Sequence, residues 1–456
     1  MRVETAPVRM FPEATMRNRP LALIILFGFA PVAAAQDAVR LAEKFDPATP
    51  YRVDLKVTMT GRLTLPAGKD QPTAEVAVEG SSTLAYDERP LAPDEPKTDK
   101  LIRAYRGIDI KRTLGDKEQK ASIREGVRRL VVLRSEKGKK APFSPDGPLL
   151  WSEIDAVKHD IFTPVLVMGL LPKDEVKPGA KWTASPAAIA ELTDLDTIDE
   201  GGLAVEFATV VTLNERKLAK LTITGTVRGT NEDGPTRQKL DGTAYFDLAA
   251  GRLTYLKLNG VHEMLGRDGK SIGRIDGTFT MTRTASKEVD DLSEAKLTGK
   301  ELKPTAENSL LLYDNAELGL KFLYPRRWRV GVLQGRQLTL EEPKGGGILL
   351  TVESTDRLPT VEKYQDEVKG FLAKQQAKIA PMAAPARTAD KPIRIDRFGI
   401  DAELKTGKAR LEYAVTSGPH GGVMVAARLP AEEAADLKGD LDRILKQLEV
   451  TKPVEK

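Results

Sequence analysis

The sequence predicts an α+β protein dominated by antiparallel sheet: a strongly curved, half-barrel-like sheet comes first and a smaller α+β domain follows. Three observations carry that class. Apolar and polar residues alternate over long runs between residues 51 and 281, single glycines recur inside those runs, and helical apolar stripes are confined to one insert and to the C-terminal region. With 41% hydrophobic and 30% charged residues, the 456-residue chain is too apolar for a disordered polymer and too polar for a polytopic membrane protein. It has no Cys and only three His, which excludes thiol nucleophiles, thiolate metal sites and disulfide staples.

Residues 21–35 read LALIILFGFAPVAAA and follow Arg17 and Arg19, the charged, apolar, small-residue order of a secretory signal. The expectation is a signal peptide over 1–35, cleaved after Ala35, and a periplasmic or extracellular protein whose membrane contact ends with that leader. Met16 opens a more compact leader than Met1 does, because Glu4 and Glu13 precede it. Cleavage removes four Arg and two Glu from the 70 basic and 66 acidic residues, leaving a net charge of +2. Charges so balanced and so interspersed call for no nucleic acid and no anionic membrane as partner.

The first predicted domain spans 36–285. Tyr51, Val53, Leu55, Val57, Met59, Leu63 and Leu65 share one parity, and Val76, Val78, Leu84 and Tyr86 repeat it after a turn-rich stretch, so the two form an antiparallel hairpin. Alternation returns in 203–213, 219–227, 240–248, 256–264 and 275–281, with hairpin turns at 231–234 and 267–270. Gly61, Gly80, Gly225, Gly242, Gly260 and Gly277 each share the parity of their strand's apolar residues. Glycine at such positions marks coiling of the sheet or close approach of something to its concave face.

Between the strand groups lies a helical insert at about 145–200. Leu150, Ile154, Val157 and Ile161 recur at helical spacing, and Ser185-Pro186 reads as an N-cap with proline in the first turn. An amphipathic element here is placed to plug the concave face. The motif Leu170-Leu171-Pro172…Val176…Gly179…Trp182, with Gly242-Thr243-Ala244-Tyr245-Phe246-Asp247 and Gly251-Arg252-Leu253, resembles uncharacterised secreted bacterial proteins with a repeated β-rich domain. That resemblance covers about 150–283 and implies no activity.

Residues 286–308 lack alternation and a dense apolar stripe, so they read as a charged linker. The second domain, 309–451, orders strands, a helix with Val361, Tyr364, Val368, Phe371 and Leu372, more strands, and a last helix with Leu437, Leu441, Ile444, Leu445 and Leu448. Its opening, Leu318-Gly319-Leu320-Lys321-Phe322-Leu323-Tyr324-Pro325-Arg326-Arg327-Trp328, resembles that of PsbP-like domains, as does the closing hairpin and helix. The resemblance implies an α/β/α sandwich and a binding, assembly or stabilising role, with no particular partner.

Chemistry-bearing motifs are sparse. His159, His262 and His420 lie far apart, without HExxH or a helical His pair, and read as structural or surface residues. Ser417 and His420 sit in a Gly/Pro-rich hairpin tip without GxSxG, which favours a turn over a nucleophile and base. Asp194, Asp196, Asp199 and Glu200 precede Gly201-Gly202 but depart from calcium-loop spacing, so a solvated acidic loop is the better reading. The sequence therefore predicts no catalytic, metal or cofactor-binding residue and no cofactor. The expectation is an exported, non-enzymatic binding or assembly protein with an unknown protein or apolar ligand as partner. The alternative is a periplasmic carrier of a lipid or other apolar ligand in the cavity of the curved sheet, by analogy with lipoprotein-carrier folds.

Overall fold

Alternation translates directly into sheet. The computed structural model describes residues 37–66, 73–92, 94, 99–135, 139–158, 160–286, 289–390 and 393–452. The predicted signal peptide, Ala35, Met16 and His159 lie outside the described residues. Ala38–Lys456 form one compact unit.

In chain order the first strands are β1 (Tyr51–Pro66), β2 (Thr73–Pro90), β3 (Asp99–Leu114), β4 (Lys117–Ala121), β5 (Arg129–Arg134), β6 (Lys140–Phe143) and β7 (Leu149–Leu150). The insert holds α1 (Trp151–Val157), α2 (Thr163–Leu170), β8 (Lys181–Thr183) and α3 (Pro186–Thr193). A second run of strands follows: β9 (Thr197–Leu213), β10 (Arg216–Asn231), β11 (Gly234–Asp247), β12 (Arg252–Leu265) and β13 (Ser271–Ala285). These build a 12-stranded sheet in the order β6, β5, β3, β2, β1, β13, β12, β11, β10, β9, β8, with β4 beside β3. All its pairings are antiparallel and the path does not close on itself. Strands β3 to β6 are absent from the sequence reading. A register shift between Ala85 and Tyr86 moves the inward parity of β3 from odd, at Tyr105, to even, at Ile108 and Ile110, which hides its alternation.

The inward parity packs under the insert. Val53, Leu55, Leu84, Tyr86, Leu203, Val205, Phe207 and Leu221 join Ile154, Phe162, Leu166, Leu170 and Ile189 in one core. Ser185 caps α3 by accepting a hydrogen bond from the Ala188 amide at 3.2 Å, as its sequence position predicts.

Beyond the sheet the chain is less solvated than its composition implies. Leu292 and Leu297, the latter on α4 (Glu294–Leu297), are buried against Ile102, Ala104, Val131 and Phe143. Two leucines five positions apart thus anchor a segment that reads as a linker, because they are too few to register as a stripe.

The remaining strands are β14 (Leu311–Asn315), β15 (Leu320–Tyr324), β16 (Arg329–Val330), β17 (Gln337–Glu341) and β18 (Gly347–Glu353). Then come α5 (Val361–Lys374), β19 (Lys378–Ile379), β20 (Ala386–Ala389), β21 (Arg394–Leu404), β22 (Gly407–Gly418), β23 (Gly421–Pro430), α6 (Ala434–Lys446) and β24 (Glu449–Val450). Eight of them, β16 to β23, form an antiparallel sheet. Helix α5 buries Val361, Val368 and Leu372 against Phe398, Ile400 and Leu411, whereas Phe371, assigned to the same stripe by sequence, is 60% exposed. Helix α6 buries Leu437, Leu441 and Ile444 with Leu340, Leu350 and Val425. Trp328 turns inward after Pro325: it is fully buried and its indole donates to Asp440 at 2.9 Å. A third small sheet runs β24, β15, β14, β7, so the insert's Leu149-Leu150 pairs in parallel with Leu311-Leu312. The chain is thus a β-dominated α+β protein with large open antiparallel sheets.

Candidate functional site

The residues singled out by sequence do not converge. His262 lies on the inward parity of β12, half-buried, and burial holds its pKa below the ordinary histidine value. His420 is exposed at the tip between β22 and β23, where Gly421 takes φ +121°, so this stretch forms a hairpin turn. Asp194 takes a left-handed conformation at the end of α3, while Asp199 falls in β9 at the register shift where Arg228 pairs with Glu200 and Gly229 with Ile198.

What the fold does bring together is a buried ionic cluster that no linear motif announces. The Arg103 guanidinium donates from Nε to Glu88 at 2.6 Å and from Nη2 to the Ile161 carbonyl at 2.5 Å. It also lies 3.7 Å from Asp160 and 4.6 Å from the Tyr86 ring centroid. Tyr51 donates to Glu88, and Tyr105 donates to Asp160 at 2.5 Å. Next to it Lys140 donates to the Asp160 carbonyl at 2.7 Å and to Glu191 at 2.9 Å, and Glu191 also accepts from the Phe162 amide. Glu88 and Arg103 come from neighbouring strands, whereas Asp160, Ile161 and Glu191 come from the insert, so the cluster fastens the helices onto the sheet.

Its chemistry is that of a latch. Arg103 is 1% exposed and Glu88 0%, so neither reaches solvent. Burial raises the Tyr51, Tyr86 and Tyr105 phenols well above their ordinary range, which keeps all three protonated, Tyr51 and Tyr105 as donors to carboxylates. Burial also raises Asp160 to about 6, against opposing pulls from Arg103 and Tyr105. Because this lies above the unfolded carboxylate value, the ionised form opposes folding above pH 6 and the penalty is relieved as pH falls through 6 toward 4. Asp160→Asn is therefore expected to be more stable than the parent at pH 7.5, by about 2 kcal/mol, and to lose the parent's gain in stability between pH 7 and pH 5. Urea titrations of both proteins across that range check it.

A second feature lies further along the same face. Burial falls along β1: Val53 is 0% exposed and Leu55 5%, but Val57, Met59 and Leu63 are only half-buried. Val76 on β2, Ile275 and Phe279 on β13, and Met264 on β12 share that intermediate state. These side chains have the inward parity, so the apolar face runs on past the helices that cover its first half. The glycines belong here too. A Cβ on Gly80 would fall 2.8 Å from the Met59 Cγ, one on Gly260 3.0 Å from the Leu240 Cδ2, and one on Gly242 2.7 Å from the Leu258 Cδ2. Side chains of the adjacent strand thus lie flat over the glycines, and at Gly61, Gly225 and Gly242 the neighbouring backbone itself comes within 2.2 Å of that position. The close approach predicted from the glycine pattern is made by the sheet's own strands.

No family model and no curated protein matches the chain. Among solved structures it is similar to the PsbP protein of the cyanobacterium Synechocystis, with 11% identity, 31% of this chain and 92% of that one covered, and a TM-score of 0.27. The Ran-binding protein Mog1p of Saccharomyces cerevisiae gives 10% identity, 31% and 96% coverage, and a TM-score of 0.25. A lipovitellin structure gives 9% identity, 54% and 26% coverage, and a TM-score of 0.31. Scores this low carry nothing about how the present chain works.

Proposed function

We propose that this chain is an exported, non-enzymatic binding protein whose curved first sheet holds a lipid or other apolar ligand on the uncovered half of its inward face. The observation that carries this reading is the fall in burial along β1, from Val53 and Leu55 to Val57, Met59 and Leu63, in a strand whose inward residues stay apolar. The leader over 21–35 supports export, and the enclosure of Glu88, Arg103 and Asp160 supports a structural use of that ionic cluster. The motif at 318–328 supports a PsbP-like sandwich over 309–451, which serves assembly in this reading.

Native mass spectrometry of the chain purified from the exported fraction, with solvent extraction of bound material, tests the proposal. The expected result is a defined apolar adduct that Ile275→Glu abolishes, because that substitution sets a carboxylate on the half-buried face. A bare protein mass overturns the carrier reading and leaves the protein-assembly reading in its place.

A further inference from the structure

Besides Arg134 on β5, which pairs with Glu191 at 3.5 Å, three arginines lie on the inward face of the first sheet, and only two of these are neutralised. Arg103 is paired with Glu88 at 2.6 Å, and Arg283 with Glu43 at 2.8 Å while stacked 4.3 Å from the Tyr51 ring centroid. The third, Arg112, stands on β3 opposite Gly80, in the uncovered half of the face. Its stem crosses toward β1: a Cβ on Gly80 would lie 3.5 Å from the Arg112 Cγ and 3.2 Å from the Met59 sulfur. Its Nε is buried with no hydrogen-bond partner, and among the described residues it forms no ion pair. A buried guanidinium donor without an acceptor is costly, and an anion beside it removes that cost.

We propose, building on the carrier reading above, that the uncovered face takes a long-chain fatty acid, with its carboxylate on Arg112 and its chain laid across β2, β1, β13 and β12. The path is continuous in register, since Arg112 pairs with Gly80, Gly80 with Met59, Met59 with Gly277, and Gly277 with Gly260. It crosses four inter-strand gaps of about 4.8 Å, roughly 19 Å in all, a span suited to an extended acyl chain. The three glycines keep the path low, and Met59, Phe279 and Leu258 flank it. Methionine at its centre adapts to a flexible chain. Among the described residues, the single unpaired cation on this stretch matches one negative charge, which favours a monocarboxylate over a phosphomonoester.

The test compares hexadecanoate with the matching alcohol, hexadecanol, by calorimetric titration of the full chain. The acid is expected to bind about tenfold or more tightly than the alcohol, reflecting a charge-assisted bond to a guanidinium. Arg112→Gln is expected to erase that preference while leaving alcohol binding in place, and Arg112→Lys to keep part of it. Because Arg112 has no bonded partner, the urea midpoints of these variants should match the parent's, which separates lost recognition from lost folding. Equal affinities for acid and alcohol, a preference that survives Arg112→Gln, or tighter binding to phosphatidylglycerol vesicles than to the acid overturns the fatty-acid assignment alone. Binding of neither probe overturns the carrier reading as well.

Discussion

Glu88→Ala is expected to destabilise the protein by about 3–5 kcal/mol, because it strands the Arg103 guanidinium in a site that is 1% exposed. Tyr51 loses its acceptor in the same change, and burial leaves that phenol no water to turn to. The effect reaches the insert, since Arg103 also donates to the Ile161 carbonyl and lies near Asp160. Removing both charges tests the explanation. Glu88→Leu combined with Arg103→Met takes away the unpaired ion, and the double variant is expected to recover the part of the loss that the stranded charge causes, with Tyr51 still lacking its acceptor. Urea unfolding midpoints of the parent, the single and the double variants measure it. A single variant as stable as the parent would mean that the latch does not hold the insert down.

The second large effect is expected at one glycine and not at its counterpart. A Cβ on Gly225 would lie 2.0 Å from the Gly202 carbonyl oxygen and 3.0 Å from the Leu203 Cα, so Gly225→Ala forces apart two strand backbones. About 3 kcal/mol of lost stability is expected, at the upper end of ordinary overpacking costs, because backbone yields less readily than a side chain. At Gly260 the nearest atom is the Leu240 Cδ2 at 3.0 Å, the far end of a flexible side chain, and Gly260→Ala is expected to cost less than about 1 kcal/mol. Parallel urea titrations decide between this split and a uniform role for all six glycines. Equal costs at the two positions would refute it.

Much of this fold was legible because period-two alternation survives wherever a strand is covered on one face only. The β1–β2 hairpin, the turns at 231–234 and 267–270, the Ser185 cap and the α6 stripe all follow from local pattern. Strand β3 was not legible, since the shift at Ala85 and Tyr86 reverses its parity halfway along. Nor was the docking of Leu292 and Leu297, which depends on an apolar patch on β3, β5 and β6 that forms only in three dimensions. The site is the extreme case. Glu88, Arg103 and Asp160 are far apart in sequence and each resembles any other charged residue, so only tertiary contact reveals them as one cluster. Arg112 carries a faint local signal, an arginine at an inward position, but that position becomes inward only after the parity reversal.

The central seam of the first sheet joins its earliest strand to its latest, with Tyr51 opposite Ala285 and Leu63 opposite Gly273. As the chain is synthesised, β1 and β2 meet at once, yet the other edge of β1 has no mate until β13 emerges. Each side of the sheet is an assembly of mostly local hairpins, whereas the seam is a long-range closure of the kind that slows folding. Until it forms, the backbone amides and carbonyls along that edge of β1 are open to any extended chain nearby. A product stopped short of residue 271 lacks β13 altogether and keeps that adhesive edge, so the last strand of the sheet is also what protects the first from wrong company.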